Sequence, residues 1–469
     1  MPSGVTVRQA GPEDEVAGVR PRWVALPETT EEVAAIMAAA AEHDLAVVPV
    51  GGGSKLHWGP PPERCDVLLD TCCLNQVLEH AEGDLVVRAQ AGVTMEALAR
   101  TLAARGQELA LDVPVEGATV GGTLATALPG PRSFRYGGAR DLLIGITVVL
   151  ADGTVAHSGG KVVKNVAGYD LGKLFTGSYG TLGVIAEATF RLHPLASERR
   201  WIQAHLPVRH ADESATPGTG PGPVQGYASP SARGGPPQRK ATLATVLATS
   251  QAEPTAVEVN RAGDDAACEL AVLVEGSAAE SRAEAVAALM TGATVGAEPP
   301  SWWGALPDGD VLMELRFPPS RGEAVLEAVH GLGAMVRGSL ASGVLWLALS
   351  PSESSSGRSS ESASGRSSES SERSPESPEK LGPEGLGLEG LGLEGLGLEG
   401  LGSEGLAGLV AGLRARLAEV GGRVSVLASP YAEGLDRWGE ISALPLMRRV
   451  KERFDPGRRM SPGRYVGGI

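Results

Sequence analysis

The pattern of apolar and polar positions over the first 195 residues predicts a succession of short helices and strands. Thr29-x-x-Glu32 has the form of a capping box, and the residues after it place apolar side chains at helical spacing. We therefore expect a helix to begin there. The other elements predicted for this region are strands at 45–50, 66–70, 85–93 and 183–194, a helix at 95–106, and a hairpin with Asp152-Gly153 at its turn.

The pattern continues beyond residue 195 with longer strands and helices. The predicted elements are a strand at 270–277, a helix from about Ser277, a strand at 310–317, a helix at 322–333, two strand-like runs ending at Leu349, a helix with Leu406, Leu409, Val410, Leu413 and Leu417 on one face, a strand at 423–429 and a short helix in the tail. A strand–helix–strand order that repeats across a linker favours an α+β sandwich of the ferredoxin-like type.

Two stretches interrupt these patterns and predict segments without a core. Residues 207–240 are rich in Pro, Gly and Ser and form an insertion, whereas residues 350–405 combine a Ser/Glu/Arg tract with a five-residue Gly-Leu-Glu repeat. That repeat contains a literal G-x-G-x-x-G, but no strand precedes it, so it lacks the context of a dinucleotide site. The predicted division is 1–195, 196–349 including the insertion, 350–405 as linker, and 406–469, which completes the second domain.

Composition and charge narrow the classes of function. The formal net charge of −15 argues against nucleic acid or an anionic membrane as the main partner. The four cysteines show no C-x-x-C spacing, which favours reduced thiols over disulfides or a metal site. We recognise no signal peptide and no apolar run of about 20 residues that could cross a bilayer. The expectation is a cytoplasmic protein without a transmembrane segment and without a bound metal.

The stretch AVVPVGGGSKLHWG, residues 46–59, leads from a strand into three consecutive glycines. Successive backbone N–H groups in such a turn can surround an anion, and the absence of side chains permits close approach. The spacing fits neither a Walker A loop nor the nicotinamide-binding G-x-G-x-x-G. A nucleotide cradle and a plain glycine turn both remain open on this stretch alone.

Three further segments accompany the glycine turn in a characteristic order. They are GATVGGTLATALPG at 117–130, RYGGARDLLIGITVVLADG at 135–153, and KVVKNVAGYDLGKLFTGSYGTLGVIAEATFRLHP at 161–194. Together they resemble the FAD-binding domain of the vanillyl-alcohol oxidase and p-cresol methylhydroxylase family. Within it the chain resembles the glycolate oxidase-like flavoproteins, including the ending FDPGRRMSPGR at 454–464. Tyr179 stands where the D-type subunits and D-lactate dehydrogenases typically have Glu, which favours the E-type FAD-binding subunits.

The resemblance implies a two-subdomain FAD-binding domain followed by a reduced ferredoxin-like cap. It also implies that FAD is bound without a covalent link, since the histidine used by covalent relatives would fall near Gly53 and His57 lies too far along. The diphosphate would be held mainly by backbone N–H groups, the ribityl chain and ring would lie against small residues, and the adenine end would meet main chain. The cofactor-binding residues implied are Val50, Gly51, Gly52, Gly53, Ser54 and Lys55 for the diphosphate, Gly117, Thr119, Gly121, Gly122 and Ala125 for the ribityl chain and ring, and Val184 and Ile185 for the adenine.

The catalytic residues remain unassigned from the sequence. Oxidation of a 2-hydroxy acid needs a base for the hydroxyl proton and a cation for the carboxylate. Catalytic relatives carry a histidine-rich stretch in the second domain, and this chain has none. The resemblance therefore implies an FAD-binding subunit of a glycolate oxidase complex, with a D-type catalytic flavoprotein and an iron–sulfur subunit as partners. The alternatives are a self-sufficient FAD-linked oxidoreductase of another 2-hydroxy acid or an alditol, and a structural subunit without flavin.

Overall fold

A computed structural model describes residues 4–160, 170–206, 243–264, 267–350, 403–431 and 434–469. The predicted insertion at 207–240, nearly all of the predicted linker at 350–405, and residues 164–169 of the K-N-V-A-G-Y-D-L motif lie outside the described residues. Every helix in the part of the chain that the structure describes is too short or too polar to span a lipid bilayer. The four-part division of the chain stays a prediction.

The N-terminal part begins with a four-stranded sheet in the order β1-β2-β4-β3, whose last three strands are parallel. Its elements are β1 Thr6–Gln9, β2 Trp23–Leu26, α1 Thr30–Glu42, β3 Val47–Val50 and β4 Val67–Asp70. The predicted cap of α1 is confirmed, because the Thr29 hydroxyl accepts a hydrogen bond from the Glu32 N–H at 3.1 Å. Such a cap stabilises a helix by about 1 kcal/mol.

A five-stranded antiparallel sheet follows, in the order β5-β6-β10-β8-β9. The elements of this region are β5 Val77–Ala81, β6 Val86–Gln90, α2 Met95–Ala103, β7 Gln107–Glu108, α3 Val120–Thr126, α4 Ser133–Tyr136, α5 Ala139–Leu142, β8 Leu143–Val149, β9 Val155–Gly159, α6 Leu171–Phe175, β10 Val184–Arg191 and β11 His193–Pro194. The short strands β7 and β11 pair with each other. The predicted hairpin is confirmed, with Gly153 at a φ of +89° in its turn.

The two N-terminal sheets share a core. The apolar face of α1 packs between them, where Ile36 and Met37 are fully buried together with Val47 of β3 and Val149 of β8. The other face of the five-stranded sheet packs against α2 and α3. This arrangement holds the end of β3 close to the start of α3.

The second part of the chain is an eight-stranded antiparallel sheet in the order β15-β12-β14-β13-β17-β18-β16-β19. Its elements are β12 Arg199–Leu206, α7 Leu243–Ala248, β13 Ala256–Arg261, β14 Cys268–Glu275, α8 Ala279–Ala287, β15 Thr294–Gly296, β16 Val311–Arg316, α9 Gly322–Ala328, β17 Met335–Ser339, β18 Val344–Leu349, α10 Ser403–Glu419 and β19 Arg423–Ala428. Each half has the β-α-β-β-α-β order of a ferredoxin-like unit. The predicted ferredoxin-like cap is confirmed, and it consists of two such units joined where β13 pairs with β17.

Helices cover one face of the eight-stranded sheet, and the predicted apolar face of α10 packs there. Its five leucine and valine positions are all buried in a single core with α8, α9 and the strands. The opposite face of the sheet turns towards the N-terminal sheets. There Trp58 and Leu128 form a buried apolar cluster with Leu312 and Trp346.

The C-terminal segment returns to the N-terminal sheets. After α11, Leu444–Phe454, the chain runs beside β3, where the Val47 N–H donates to the Arg459 carbonyl at 2.8 Å and the Ser461 N–H donates to the Val47 carbonyl at 2.9 Å. The tail therefore extends the edge of the four-stranded sheet and ends beside the glycine turn.

Candidate functional site

The glycine turn lies directly after β3, at the edge of the parallel strands. A Cβ atom on Gly51 would lie 2.1 Å from the Thr119 Oγ1, and a Cβ atom on Gly52 would lie 1.8 Å from the Gly117 carbonyl oxygen. Gly53 has a φ of +68°, a conformation that glycine adopts at little cost. The first two glycines are therefore required because the turn packs against residues 117–119.

The two glycine-rich segments form the walls of one cavity. It contains about 790 Å³ of space, a figure that includes solvent at its open mouth. The residues that line it are Pro49, Val50, Gly51, Gly52, Gly53, Ser54, Lys55, Leu56, Thr71, Ala91, Thr119, Gly121, Gly122, Ala125, Thr126, Tyr179, Gly180, Gly183, Ile185 and Arg464. The structure thus brings together residues from the stretches 46–59, 117–130 and 161–194 and from the ending 454–464, whereas the stretch 135–153 contributes none of these lining residues.

Two of the predicted site residues, Gly117 and Val184, are not among the residues that line the cavity. Gly117 lies behind Gly52, and its N–H donates to the Glu96 carboxylate at 3.1 Å. Val184 is 1% exposed, and its side chain packs in the core with Val149. The neighbouring Ile185 does reach the cavity. Any contact of Val184 with a ligand is thus restricted to its main chain.

Two cations face the cavity, and both are largely removed from water. Burial lowers the pKa of Lys55 to about 8, and its ammonium has a hydrogen bond of 3.4 Å to the Ser54 hydroxyl. Burial also lowers the pKa of Arg464 to about 10. The Arg464 guanidinium donates to the Leu56 carbonyl at 2.9 Å and to the Pro60 carbonyl at 3.2 Å. Both side chains are suited to an anionic ligand, because an anion would offset the cost of burying their charge.

An aromatic group closes the cavity beside Arg464. Tyr179 stacks on Tyr465 with ring centroids 5.0 Å apart, and Trp438 meets both rings edge-on. Tyr179 has a φ of +54°, which an aromatic residue adopts only under constraint. Its N–H donates to the Ala125 carbonyl at 2.9 Å, which fixes this loop to the end of α3. Burial raises the pKa of the Tyr179 hydroxyl, so this side chain is neutral at ordinary pH.

The part of the cavity lining that the structure describes contains no carboxylate, imidazole or thiol. Gly53 stands where the resemblance would place the histidine of covalent relatives, and the described lining residues include no histidine or cysteine. No group of three or more His, Cys, Asp or Glu side chains suited to a metal occurs among the described residues.

Comparisons with known proteins agree with this geometry. A family model described as an FAD binding domain matches residues 21–159. The chain is 36% identical over 185 residues to the glycolate oxidase subunit GlcD of Bacillus subtilis, covering 39% of each chain. It is 41% identical over 172 residues to the mitochondrial D-2-hydroxyglutarate dehydrogenase of Bos taurus, covering 36% of this chain and 32% of the relative. It is 37% identical over 177 residues to the mitochondrial D-lactate dehydrogenase [cytochrome] 1 of Saccharomyces cerevisiae, covering 37% and 30%. The match spans about a third of each of these relatives.

Solved structures of alkyldihydroxyacetonephosphate synthase share the fold over more of the chain. Two of them superpose with TM-scores of 0.56 and 0.57 at 16% identity, covering 95% of this chain and about three quarters of theirs. At that identity the likeness concerns the fold alone.

This chain contains an FAD-binding domain of the p-cresol methylhydroxylase type, and its cofactor is FAD. The residues fit this cofactor, because the cavity combines a backbone turn without side chains, one buried and one half-buried cation, and a wall of small residues. Sequence reasoning found the glycines but missed Tyr179 and Arg464 as lining residues. Tyr179 lies in the motif G-S-Y-G-T-L-G and Arg464 in M-S-P-G-R, two motifs that carried the resemblance. Their place in these motifs was the sequence signal that could have identified them.

Proposed function

We propose that this chain is the FAD-binding subunit of a complex that oxidises a 2-hydroxy acid, with glycolate converted to glyoxylate as the reaction of the complex. The general reaction class, oxidation of a 2-hydroxy acid, is supported by the names of the relatives, since glycolate, D-lactate and D-2-hydroxyglutarate are all 2-hydroxy acids. When bound, FAD supplies the two-electron acceptor for such an oxidation.

The observation that carries the subunit assignment is the composition of the cavity. Removal of the hydroxyl proton of a 2-hydroxy acid needs a base within hydrogen-bond reach. Among the described lining residues the titratable side chains are Lys55, Tyr179 and Arg464, and none is a carboxylate or an imidazole. A cavity of this kind is suited to holding a cofactor, and we expect the base to belong to a partner chain.

The packing beside the cavity supports the same proposal. Trp58 follows the glycine turn and Leu128 follows α3, and both are buried against Trp346 and Leu312 of the eight-stranded sheet. Side chains therefore occupy the space between the glycine-rich walls and that sheet. Tyr179 adds an aromatic wall at the position where the resemblance places a glutamate in D-type subunits, which favours the E-type assignment.

In this proposal the N–H groups of Gly51, Gly52 and Gly53 hold the diphosphate, and the Lys55 ammonium adds positive charge. The proposed contacts to the rest of the cofactor are Thr119, Gly121, Gly122 and Ala125 with the ribityl chain and ring, Gly117 as the support of the turn, Val50 and Ser54 at its two ends, and the main chain of Val184 with the side chain of Ile185 towards the adenine. The described lining residues include no histidine or cysteine, which supports non-covalent binding of FAD in this proposal.

The partners proposed are a D-type catalytic flavoprotein and an iron–sulfur subunit. The four cysteines of this chain are free and not grouped for a cluster, so electron transfer through iron and sulfur would use another chain. Free thiols also favour the cytoplasm as the compartment.

One observation favours a second candidate, a self-sufficient oxidoreductase of a 2-hydroxy acid. The relative of Bacillus subtilis is a GlcD subunit, so the FAD-binding part is similar to a D-type chain as well. The third candidate, a structural subunit without flavin, is disfavoured. The glycine turn leaves the cavity open, and Lys55 and Arg464 make it cationic.

Purification of the chain alone and together with its partners would test the proposal. We expect the chain alone to be yellow, to release FAD on acid treatment, and to leave a dye acceptor unreduced with glycolate, D-lactate or D-2-hydroxyglutarate. Turnover should appear when the partner chains are added. Full dye-linked turnover by the isolated chain would contradict the subunit assignment and support the second candidate.

A further inference from the structure

We propose that the outer face of helix α11 is the surface with which this chain binds an acidic surface of a partner chain of the complex. That face consists of Leu446, Arg448, Arg449, Glu452 and Arg453, which are all exposed. The inference rests on the proposed function, because the occupant is a chain of the proposed complex. It adds where that chain binds and which charge it presents.

The inner side of α11, Leu444–Phe454, fixes the helix to the N-terminal sheets. Val450 and Phe454 pack against the core of the five-stranded sheet, and the Phe454 ring meets that of Phe175 with centroids 5.9 Å apart. The Lys451 ammonium on the same side is buried and donates to the Thr181 carbonyl at 2.7 Å. The outer face is therefore presented on a helix whose position is set by the fold.

The outer face is positively charged in an acidic protein. It carries three arginines and one glutamate, whereas the whole chain has a formal net charge of −15. Arg448 donates to the Gly467 carbonyl at 3.2 Å, and neither Arg449 nor Arg453 forms an ion pair with a residue that the structure describes. Charges of one sign on a surface favour a partner that carries the opposite sign, here a surface rich in Asp and Glu.

One apolar side chain is exposed among these charges. Leu446 is 55% exposed, the most of any large apolar side chain among the described residues. It lies three and seven positions before Arg449 and Arg453, so the three share one line along the helix. Protein interfaces combine apolar contacts with Arg side chains. A membrane surface is disfavoured, because a helix bound there buries a broad apolar face in lipid, and the apolar side of α11 is already packed.

The position of α11 places this surface close to the FAD site. Thr181, which accepts from the inner side of the helix, lies two residues after Tyr179 of the cavity lining. The chain then continues from the helix through Asp455 to Arg464, which lines the same cavity. A partner on the outer face is separated from the Tyr179 loop by one helix diameter, about 10 Å. A chain that takes electrons from the flavin must bind near it, and this surface meets that requirement.

Two matched double variants of the FAD-loaded chain, mixed with the D-type and iron–sulfur partner chains, would test this inference. Arg449→Glu/Arg453→Glu reverses two charges of the outer face, and Arg100→Glu/Arg423→Glu reverses two exposed arginines on α2 and β19. We expect the first to raise the dissociation constant for the partner chains about tenfold or more at low salt, and the second to leave it within about twofold of wild type. Arg449→Lys/Arg453→Lys should retain most of the affinity, and added salt should weaken the wild-type complex.

The possible results separate this inference from the proposed function. Equal affinity of wild type and Arg449→Glu/Arg453→Glu for the partner chains would overturn the inference and leave the subunit assignment intact. If that variant lost only self-association, or only binding to vesicles of phosphatidylserine and phosphatidylcholine, the occupant would be a second copy or a membrane, and the inference would be wrong. Failure of the wild-type chain to form any complex with the partner chains would overturn both. The FAD content and melting temperature of each variant verify that the fold is intact.

Discussion

At the scale of single residues, the cavity depends on backbone packed against backbone. The Cβ position of Gly52 lies 1.8 Å from the Gly117 carbonyl oxygen, far inside the contact distance of any carbon and oxygen. The added Cβ atom and the Gly117 carbonyl both belong to the backbone region and not to the end of a flexible side chain. Relief of their overlap therefore requires movement of the turn or of the 117–119 segment. These two segments are opposite walls of the cavity, so the movement would alter the binding site directly.

We therefore expect Gly52→Ala to raise the dissociation constant for FAD by about tenfold or more, equivalent to about 1.4 kcal/mol. The strain should also lower the free energy of unfolding of the apoprotein, by about 1–3 kcal/mol. Fluorescence titration of FAD and thermal unfolding of the apoprotein would measure the two effects. Gly83→Ala is the matched control, because nothing lies within 4 Å of its Cβ position. Equal FAD affinity in both variants would show that the close packing at Gly52 is dispensable.

At the scale of the elements, the C-terminal tail belongs to the FAD site. Asp455 is fully buried and accepts hydrogen bonds from the Lys451 ammonium at 2.7 Å and from the Met460 N–H at 2.8 Å. The same ammonium donates to the Thr181 carbonyl at 2.7 Å, next to the loop of Tyr179. This ion pair holds the tail in the position from which Arg464 reaches the cavity.

Asp455→Asn should destabilise the protein by about 3–5 kcal/mol, because it leaves the buried Lys451 charge without a counterion. Denaturant unfolding would measure the loss, and we also expect weaker FAD binding. Glu63→Gln is a matched control, since it removes the ion pair between Glu63 and Arg458 of the same tail, in which both side chains are more than half exposed. An exposed pair contributes about 0–1 kcal/mol. Similar losses in the two variants would contradict the role given to the buried pair.

Most elements could be predicted from local signals, because their residues carry the cause of the structure themselves. The Thr29 cap and the leucine face of α10 are examples. The prediction was less accurate where the capping signal was weaker. The helix expected from about Ser277 is α8, which begins at Ala279 with Ala278 as its N-cap. The doubled ferredoxin-like unit was not predicted in full, because the pairing of β13 with β17 is a contact between distant strands that leaves no local pattern.

The candidate site likewise combines residues that local sequence signals identify with residues that only the folded chain identifies. The glycines were found because their absence of side chains is visible in the sequence. Arg464 was missed because its significance depends on the acceptors around it, namely two carbonyls and no carboxylate among the described residues, which only the folded tail reveals.

At the scale of the whole molecule, an ion network joins the N-terminal sheets to the eight-stranded sheet. Glu108 of β7 accepts from Arg132 at 2.7 Å and from Arg199 of β12 at 2.9 Å. Arg199 in turn donates to Glu275 of β14 at 2.7 Å. A second link lies at the other end of the interface, where the Gly59 N–H donates to the Leu427 carbonyl at 2.8 Å. The relative position of the two parts thus depends on charges that are partly shielded from water.

The network should make the interface sensitive to acid. Burial raises the pKa of Glu108, but the guanidiniums of Arg132 and Arg199 outweigh this effect, and the net pKa lies below its ordinary value. A carboxylate with a lowered pKa stabilises the fold above its unfolded pKa of about 4.3, and this stabilisation is lost as the pH falls through the folded value.

We expect Glu108→Gln to reduce the free energy of unfolding by about 1–3 kcal/mol at pH 7, because two charged hydrogen bonds lose their acceptor charge. The difference from wild type should shrink as the pH falls below about 4.3, in thermal unfolding measured from pH 7 to pH 3. Glu284→Gln, at an exposed position of α8, should show no difference at any pH. A gap between Glu108→Gln and wild type that persisted unchanged at pH 3 would mean that Glu108 contributes through packing and not through its charge.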